Sequence, residues 1–313
     1  MGRSKKILVA GGAGFIGTNL INSLIQQGNR VYCLDNFLTG TKENLAHLKD
    51  NSQLLILQQD VIEPIEIEID MIFNLACAGS PPSYQTDPIH TLKTSVYGAE
   101  NLAQLALKND CPMFHASTSE IYGEPLTHPQ TETDWGYVNT LGIRACYDEG
   151  KRAAEALLFD YKRVHKLNVR VARIFNTYGP NMQPDDGRVI SNFVNQTLNS
   201  EPMTIYGRGE QTRSFCYVDD MVTAIELLMA LEYPPDTPVN LGNPDEYSML
   251  DIATTIAELC NSPVQITFKE LPQDDPTRRR PDISLAKNLL QWVPSTNLVD
   301  GLRKTINYFH DKR

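Results

Sequence analysis

Several features that would assign a sequence to a special class are missing from these 313 residues. No apolar stretch is long enough to cross a membrane, and none resembles the core of a secretory signal. Basic residues are outnumbered, since 28 Lys and Arg against 38 Asp and Glu give a net charge of −10 at pH 7. Binding to a phosphate backbone needs a basic face. We therefore predict a globular protein of the cytoplasm, without membrane or nucleic acid as a partner.

The cysteines also lack a recognisable arrangement. There are 6 of them, spread along the chain without CxxC spacing or Cys/His pairing. Structural zinc sites and disulfide frameworks both depend on such spacing. We predict reduced, mostly buried thiols and no metal site.

What the sequence does contain is a glycine-rich turn between a strand and a helix. Residues 5–28 read KKILVAGGAGFIGTNLINSLIQQG, with Gly11, Gly14 and Gly17 in GxxGxxG spacing. Gly11 permits the tight turn, Gly14 lets backbone N–H groups approach a pyrophosphate, and Gly17 allows close packing. The next strand, RVYCLD, ends in Asp35. A carboxylate there accepts hydrogen bonds from a ribose 2′-hydroxyl and repels a 2′-phosphate, which favours NAD over NADP.

Further strand and helix signals alternate along the first half. Strands are predicted at 54–60, 71–77 and 113–119, and a helix at 89–108. This alternation predicts an α/β fold with a Rossmann-type, doubly wound parallel sheet, in which ligands bind at the carboxyl ends of the strands. Asp60 could meet the adenine there or cap a turn or helix. The predicted NAD-binding residues are Gly11, Gly14, Phe15, Ile16, Gly17, Asp35, Asn36, Asp60, Val61, Leu75, Tyr147 and Lys151.

Tyr147 and Lys151 form the predicted chemical centre. Four residues apart on a helix, they share one face. A lysine ammonium and a nicotinamide cation lower the pKa of a nearby phenol, which can then remove a hydroxyl proton while hydride leaves the same carbon. Thr118, at a strand end, could hydrogen-bond the same substrate oxygen. A chance YxxxK pair on a surface helix is the alternative, and the position after the glycine turn and a Thr/Ser strand end argues against it.

Longer stretches resemble a known family over essentially the whole chain. This family is the extended short-chain dehydrogenases that act on nucleotide sugars. Within it, five stretches of this sequence resemble the UDP-glucuronate decarboxylases (UDP-xylose synthases). They are STSEIYG, WGYVNTLGIRACYDEGKRAAE, RIFNTYGPNMQPDDGRVISNF, YGRGEQTRSFCYVDDMV and DDPTRRRPDIS. These decarboxylases carry Ser-Glu after the threonine, as Ser119-Glu120 do here. The 4,6-dehydratases carry Asp-Glu there, and the 4-epimerases usually carry small, non-acidic residues.

This resemblance implies an activity and a catalytic set. The activity is NAD-dependent decarboxylation of UDP-glucuronate to UDP-xylose through a 4-keto intermediate, with the NADH recycled inside the site. The implied catalytic residues are Thr118, Ser119, Glu120, Tyr147 and Lys151, with Glu120 orienting the sugar and handling protons unless it merely caps the next segment. The alternatives are a UDP-glucuronate 4-epimerase, an NDP-glucose 4,6-dehydratase, and a non-catalytic NAD-sensing protein.

The resemblance also implies a division of the chain and a dimer. Residues 1–175 are expected to form the NAD-binding domain with the catalytic Tyr and Lys. Residues 176–313 are expected to form mainly a smaller substrate-binding lobe, with some segments returning to the main sheet. A homodimer is expected through a four-helix bundle of the helices near Thr91–Lys108 and Cys146–His165. The implied substrate-binding residues are Tyr84, Glu120, Asn176, Arg188, Tyr206, Arg213 and Arg279, of which Tyr206 could instead be an ordinary strand aromatic.

Overall fold

A parallel sheet of seven strands forms the centre of the computed structural model, which describes residues 4–276 and 278–313. The strands are β1 (Lys6–Ala10), β2 (Arg30–Asp35), β3 (Leu54–Gln58), β4 (Met71–Asn74), β5 (Met113–Thr118), β6 (Val169–Ile174), β7 (Thr177–Tyr178), β8 (Met203–Tyr206), β9 (Thr212–Ser214), β10 (Cys216–Tyr217), β11 (Val239–Leu241), β12 (Glu246–Ser248), β13 (Ile266–Lys269) and β14 (Arg278–Arg279). The helices are α1 (Phe15–Gln26), α2 (Pro81–Thr86), α3 (Pro88–Lys108), α4 (Ala145–His165), α5 (Val189–Leu198), α6 (Val218–Ala230), α7 (Met249–Leu259), α8 (Ser284–Leu290) and α9 (Leu298–Asp311). Single 3₁₀ turns span Lys42–Leu48 and Ser119–Tyr122.

The order of strands in the main sheet is β11-β6-β5-β4-β1-β2-β3, and all neighbours are parallel. Strand order reverses on either side of β1, because β2 and β3 lie to one side and β4, β5 and β6 to the other. Such a reversal opens a crevice at the carboxyl ends of the strands. The fold class predicted from the sequence is confirmed.

The apolar run of β1 shows why these residues form a central strand. Ile7 and Val9 pack into one core, which also contains residues of α1 and α6. Leu8 and Ala10 point the other way, into a core shared with α3 and α4. A strand covered on both faces needs continuous apolar sequence, not alternation. The strands predicted at 54–60, 71–77 and 113–119 are present but end earlier, at Gln58, Asn74 and Thr118.

The helices α3 and α4 lie side by side on one face of the sheet. Gly150 permits the close approach, because a Cβ added there would lie 3.1 Å from the Ser95 side chain. The bounds of these helices agree with the predicted 89–108 and 146–165 within one residue. Within 4–276 and 278–313, no helix is both long and apolar enough to cross a membrane.

The C-terminal part mixes with the main sheet. β11 pairs with β6 at the edge of the sheet, with Val239 opposite Ala172, and α6 packs in the core beside α1. The other late strands form small separate sheets, in the orders β10-β7, β12-β9-β14 and β13-β8. A division at residues 175/176 remains a prediction.

Candidate active site

A cavity of about 1060 Å³ lies at the carboxyl ends of the main strands, where the C-terminal segments cover the sheet. A typical small-ligand site occupies about 300–1,000 Å³, so this cavity has room for a dinucleotide and a second ligand. The residues predicted from the sequence to bind NAD and to act in catalysis all line it. Tyr84, Asn176, Arg188, Tyr206 and Arg213 do so as well.

The glycine turn between β1 and α1 has the shape that a pyrophosphate requires. Gly11 has a φ of +74°, and a Cβ there would lie 2.7 Å from the carbonyl carbon of Leu75. A Cβ on Gly17 would lie 2.2 Å from the Gly11 carbonyl oxygen. Gly14 is the N-cap of α1, and an added Cβ would meet only that same oxygen, at 3.3 Å. Since Gly14 lines the cavity, a side chain there would occupy the ligand's space, and the residues present fit a dinucleotide.

Asp35 ends β2 beside this turn. Its Oδ2 accepts a hydrogen bond from the Ala13 N–H at 2.9 Å, and its Oδ1 accepts one from the Phe37 N–H at 2.8 Å. Burial and the neighbouring Asp60 charge raise the pKa of Asp35, while the two N–H groups counteract them. Each oxygen keeps a lone pair for a further donor such as a ribose hydroxyl.

Asp60, two residues after β3, is held by three donors. Oδ1 accepts from the Ile62 N–H at 3.0 Å, which is the turn-forming role left open by the sequence. Oδ2 accepts from Asn36 Nδ2 at 2.7 Å and lies 2.8 Å from His90 Nε2. Although burial opposes it, these contacts hold the pKa of Asp60 below its ordinary value. Asp60 therefore shapes its turn and also presents a fixed carboxylate to the cavity.

Tyr147 and Lys151 project from the first turns of α4 toward the end of β5. The Tyr147 ring stacks on Tyr84 with centroids 5.0 Å apart and an interplanar angle of 6°. Its hydroxyl hydrogen-bonds with Thr118. Lys151 Nζ donates to the Ala116 carbonyl at 2.8 Å and lies 5.9 Å from the centroid of the Tyr147 ring. The structure thus brings together the three residues predicted to transfer the proton.

The pKa of the phenol is raised in the protein alone. In the protein alone, burial and the Cys77 thiol raise the pKa of Tyr147, and the hydrogen bond with Thr118 lowers it only in part. Burial also lowers the pKa of Lys151. This raised pKa belongs to the protein without its cofactor, so the lowering expected with a nicotinamide cation beside the phenol stays a prediction.

Glu120 is the centre of a charged cluster beside this phenol. The Thr118 hydroxyl oxygen accepts a hydrogen bond from the Glu120 N–H at 3.2 Å. Thr118 thereby caps the short 3₁₀ segment that follows β5. Glu120 Oε2 lies 2.5 Å from Arg144 Nη2 and 3.4 Å from Arg279 Nη2. Although burial opposes it, Arg279, Arg144 and Arg213 hold the pKa of Glu120 below its ordinary value. Its carboxylate is a fixed anion, and its partners are arginines, not the backbone of the next segment.

Arg279 lies behind this carboxylate. Its side chain is 1% exposed, and its Nη1 donates to the Gly123 carbonyl at 3.1 Å. Sequence reasoning placed Arg279 on the substrate. Arg279 is not among the described residues that line the cavity, whereas its partner Glu120 is, so direct contact of Arg279 with the substrate stays a prediction.

Two other predicted substrate residues with guanidinium groups, Arg213 and Arg188, also line the cavity. Arg213 Nη2 donates to Asp275 Oδ2 at 3.0 Å. Arg188 Nη2 lies 2.5 Å from Asp186 Oδ2, and its guanidinium is 5.3 Å from the centre of the Phe15 ring. Each guanidinium is thus held by a carboxylate, and contact with a substrate diphosphate stays a prediction for both.

Arg144 and Asp275 are site residues that sequence reasoning missed. Arg144 bonds Glu120 and also reaches Asp275 Oδ1 with Nη1 at 3.3 Å, and both residues line the cavity. The spacing of Arg144, three residues before Tyr147, could have indicated that it lies near the phenol. Nothing in the sequence indicates that Asp275 joins Arg144 to Arg213, since the three come from separate segments.

Comparisons with known proteins agree with this geometry. The family model described as "NAD dependent epimerase/dehydratase family" matches residues 7–242. UDP-glucuronic acid decarboxylase 1 of Arabidopsis thaliana is 49% identical over 313 residues, 100% of this chain and 72% of that protein. UDP-glucuronic acid decarboxylase 1 of Xenopus tropicalis is 49% identical over 305 residues, 97% of this chain and 72% of that protein.

The chain is also similar to solved structures. One is the UDP-glucuronic acid 4-epimerase from Bacillus cereus in complex with UDP-glucuronic acid and NAD. It has a TM-score of 0.88 and 26% sequence identity, with 98% of this chain and 100% of that chain covered. The UDP-glucose 4-epimerase from Thermotoga maritima with UDP-glucose has a TM-score of 0.89 and 28% identity, with 98% and 99% covered.

Proposed function

The chain belongs to the NAD-dependent epimerase/dehydratase family, and we propose that it is a lyase that removes carbon dioxide from UDP-glucuronate to give UDP-xylose. The observation that carries this proposal is the 49% identity with a curated UDP-glucuronic acid decarboxylase over the whole chain. The cavity supports it, because a phenol bonded to Thr118 lies beside a carboxylate fixed by arginines.

Tyr147 is proposed as the group that takes the proton of the sugar's 4-hydroxyl. NAD, when bound at the glycine turn, supplies the acceptor that takes a hydride from sugar carbon 4 and later returns it, and its positive ring favours loss of the Tyr147 proton. The Lys151 ammonium lies 5.9 Å from the centroid of the Tyr147 ring, and its charge favours the phenolate form of Tyr147. Thr118, bonded to the phenol, holds the substrate oxygen in line.

Loss of carbon dioxide then follows from the chemistry of the sugar. A ketone at carbon 4 lies β to the carboxylate, and a β-keto acid loses carbon dioxide as its electrons flow into an enol. Tyr147 and Thr118 stabilise the developing oxyanion at carbon 4. The carbon that carried the carboxylate then takes a proton from water. Glu120 is proposed to orient the ring and, as an anion, to hold that water, and Ser119, which is buried at the cavity wall, to contact the sugar.

The remaining residues are proposed to hold the nucleotide sugar. Arg213 and Arg188 offer guanidinium forks to the diphosphate, with Asn176 as a further donor. Tyr84 contacts the sugar from beside Tyr147, and Tyr206, which is 40% exposed at the end of β8, packs on the uracil. Arg279 acts on the substrate through Glu120.

The experiment is to incubate the purified chain with UDP-glucuronate and NAD⁺ and follow the mass of the nucleotide sugar. We expect loss of one carbon dioxide and the xylose configuration in the product. A product of unchanged mass would show a 4-epimerase, which the similarity to the Bacillus cereus enzyme makes the second candidate. In a second incubation, with dTDP-glucose in place of UDP-glucuronate, loss of water would show a dehydratase. Binding of NAD without turnover of either sugar nucleotide would show a sensor.

We also propose that the chain works as a homodimer through α3 and α4. Apolar side chains of this helix pair are exposed, with Ile89 68% and Leu92 42% exposed on α3 and Val164 70% exposed on α4. Leu92→Glu should convert a dimer to a monomer in light scattering after size exclusion. Leu289→Glu, on α8 and 41% exposed, is the matched control and should leave the mass unchanged.

The cytoplasm is the proposed location of the protein. All six cysteines are free, and Cys33, Cys111 and Cys216 are buried. Free thiols persist in a reducing compartment. A fluorescently tagged chain should therefore fill the cytoplasm, and its retention in a membrane or secretory fraction would contradict this location.

A further inference from the structure

His90 lines the cavity near the end of β3, and none of the roles above uses it. It lies in the first turn of α3, where its N–H donates to Asp87 Oδ1 at 3.0 Å. On the ring, Nε2 is 2.8 Å from Asp60 Oδ2, and Nδ1 is 3.4 Å from Thr94 Oγ1. Both ring nitrogens thus have partners, which fixes the orientation of the imidazole.

The contact with Asp60 is sheltered. The side chains of His90 and Asp60 are 24% and 23% exposed, so their interaction is less screened than that of an exposed surface pair. Asn36 approaches the same Asp60 oxygen at 2.7 Å. His90, Asp60 and Asn36 therefore join the ends of β2 and β3 to the start of α3.

The strand order shows which part of the cofactor this cluster meets. The glycine turn after β1 holds the pyrophosphate, and Thr118 and Tyr147 lie on the side of β4 and β5. Asp35 and Asp60 lie on the other side, beyond β2 and β3. In this fold the ribose of the adenosine binds at the carboxyl end of β2. The His90–Asp60–Asn36 cluster would therefore lie next to the adenosine half of a bound NAD.

We propose that His90 is a positioning residue for the adenosine half of NAD, acting through the Asp60 carboxylate. Two carboxylates, Asp35 and Asp60, share this end of the cavity, and Asp35 must stay free to accept from the ribose. The Nε2–H of His90 holds Asp60 toward α3 and offsets its charge. Without it, Asp60 can rotate away from Asn36, and the adjoining Asp35 turn loses its fixed geometry.

The test is the affinity of the full chain, freed of bound nucleotide, for three probes measured by calorimetry. His90→Leu removes the donor at similar size and should weaken NAD about 10-fold, the loss expected for one hydrogen bond to a charged group. The affinity for ADP-ribose, which carries the adenosine half, should fall by the same factor. The affinity for UDP, which binds at the other end, should be unchanged.

His90→Gln separates positioning from packing. Its amide N–H can replace the imidazole donor, so NAD affinity should return to within about 2-fold of the wild type. His47→Leu is the matched control, since His47 lies on the 3₁₀ turn Lys42–Leu48, is exposed, and bonds Asn22 Oδ1 at 2.7 Å. It should bind all three probes normally.

Three results would overturn the assignment. The first is a His90→Leu protein that binds NAD like the wild type, and the second is one that loses affinity for UDP and for NAD equally. The third is the absence of coupling with Asp60. If His90 acts through this carboxylate, His90→Leu should add little to Asp60→Asn, and fully additive losses would refute the proposal. Because only binding is measured, the outcome does not depend on which reaction the sugar undergoes.

Discussion

The two ends of the cavity are built in different ways. The cofactor end takes its groups from a short part of the chain, from Gly11 to His90, and from strands that are neighbours in the sheet. The sugar end joins Glu120 and Arg144 to Asp275, from segments far apart in sequence. Backbone N–H groups dominate the first end, and ion pairs between side chains dominate the second.

The carboxylates at the two ends show what this difference means chemically. Burial and the second acid, Asp60, raise the pKa of Asp35 against the two backbone N–H groups that bind it. Glu120 is surrounded by arginines, which overcome its burial and lower its pKa. The cofactor end therefore holds acceptors for neutral hydroxyls, and the sugar end holds a permanent anion within a cationic cluster. Substitutions at one end should leave binding at the other intact.

Tyr147→Phe is expected to have the largest effect, because Tyr147 lies between the two ends. Loss of the phenolic oxygen removes the proposed base and should lower turnover about 10³-fold or more. NAD affinity should stay within about 2-fold, since the ring and its stacking on Tyr84 remain. Release of carbon dioxide and calorimetry with NAD measure the two quantities.

The control for this change is Tyr161→Phe on the same helix, whose hydroxyl bonds Glu100 Oε1 at 3.3 Å. The Tyr161→Phe protein should release carbon dioxide at the wild-type rate. A Tyr147→Phe protein with full activity would remove the phenol from the mechanism.

Arg144→Met tests the sugar end and should have the next largest effect. This substitution removes the guanidinium that lies nearer to Glu120, and it also removes the ion pair with Asp275. Loss of one charge-assisted bond should lower turnover about 10- to 100-fold. NAD affinity should not change. Arg163→Met, which disrupts an exposed ion pair with Asp160 on the same helix, is the control. If NAD affinity falls as far as turnover, the two ends are not independent.

Asp35→Asn tests the cofactor end. The amide accepts fewer hydrogen bonds and no longer repels a 2′-phosphate, so NAD should bind about 10-fold more weakly and the preference over NADP should narrow. Turnover at saturating NAD should stay near the wild type. Asp50→Asn, at an exposed position, is the control. Unchanged binding of both dinucleotides would show that Asp35 does not select the cofactor.

Asp148→Asn should have the smallest effect, on the pH dependence of stability. Burial and the Glu120 charge raise the pKa of Asp148 to about 7, against Arg144 and Arg279. Because the folded pKa exceeds the unfolded one, the folded state binds the proton more tightly. The free energy of unfolding therefore falls as the pH rises from about 4 toward 7. Asn cannot ionise, so this fall, which is about 1.4 kcal/mol for each pH unit between the two pKa values, should shrink, and the variant should gain stability at pH 8 relative to pH 5.

Denaturant unfolding of Asp148→Asn at pH 5 and pH 8 measures this gain. Asp160→Asn, at an exposed position on α4, should follow the wild type at both values. An Asp148→Asn protein with the same pH dependence as the wild type would show that Asp148 is ionised throughout.

Sequence patterns predicted the framework and much of the site. The glycine turn, the end of β2 at Asp35 and the Tyr147–Lys151 pair were all placed correctly relative to the sheet, because each depends on spacing within one or two adjacent elements. The inward position of Arg279 and the partners of Arg144 were not predictable, since a long side chain can reach in many directions. The raised pKa of Tyr147 in the protein alone was also not predictable, because it depends chiefly on burial.

The sequence alone determined the parallel sheet, the preference for NAD, and the phenol and lysine on one helical face. Those properties come from local periodicity and from backbone geometry that only certain residues allow. Only the tertiary structure decided which charges meet. Glu120 becomes a fixed anion because β14 and the first turn of α4 bring Arg279 and Arg144 to it. His90 meets Asp60 because α3 begins above the end of β3. Such pairings depend on distances in space between groups far apart along the chain, which local sequence does not specify.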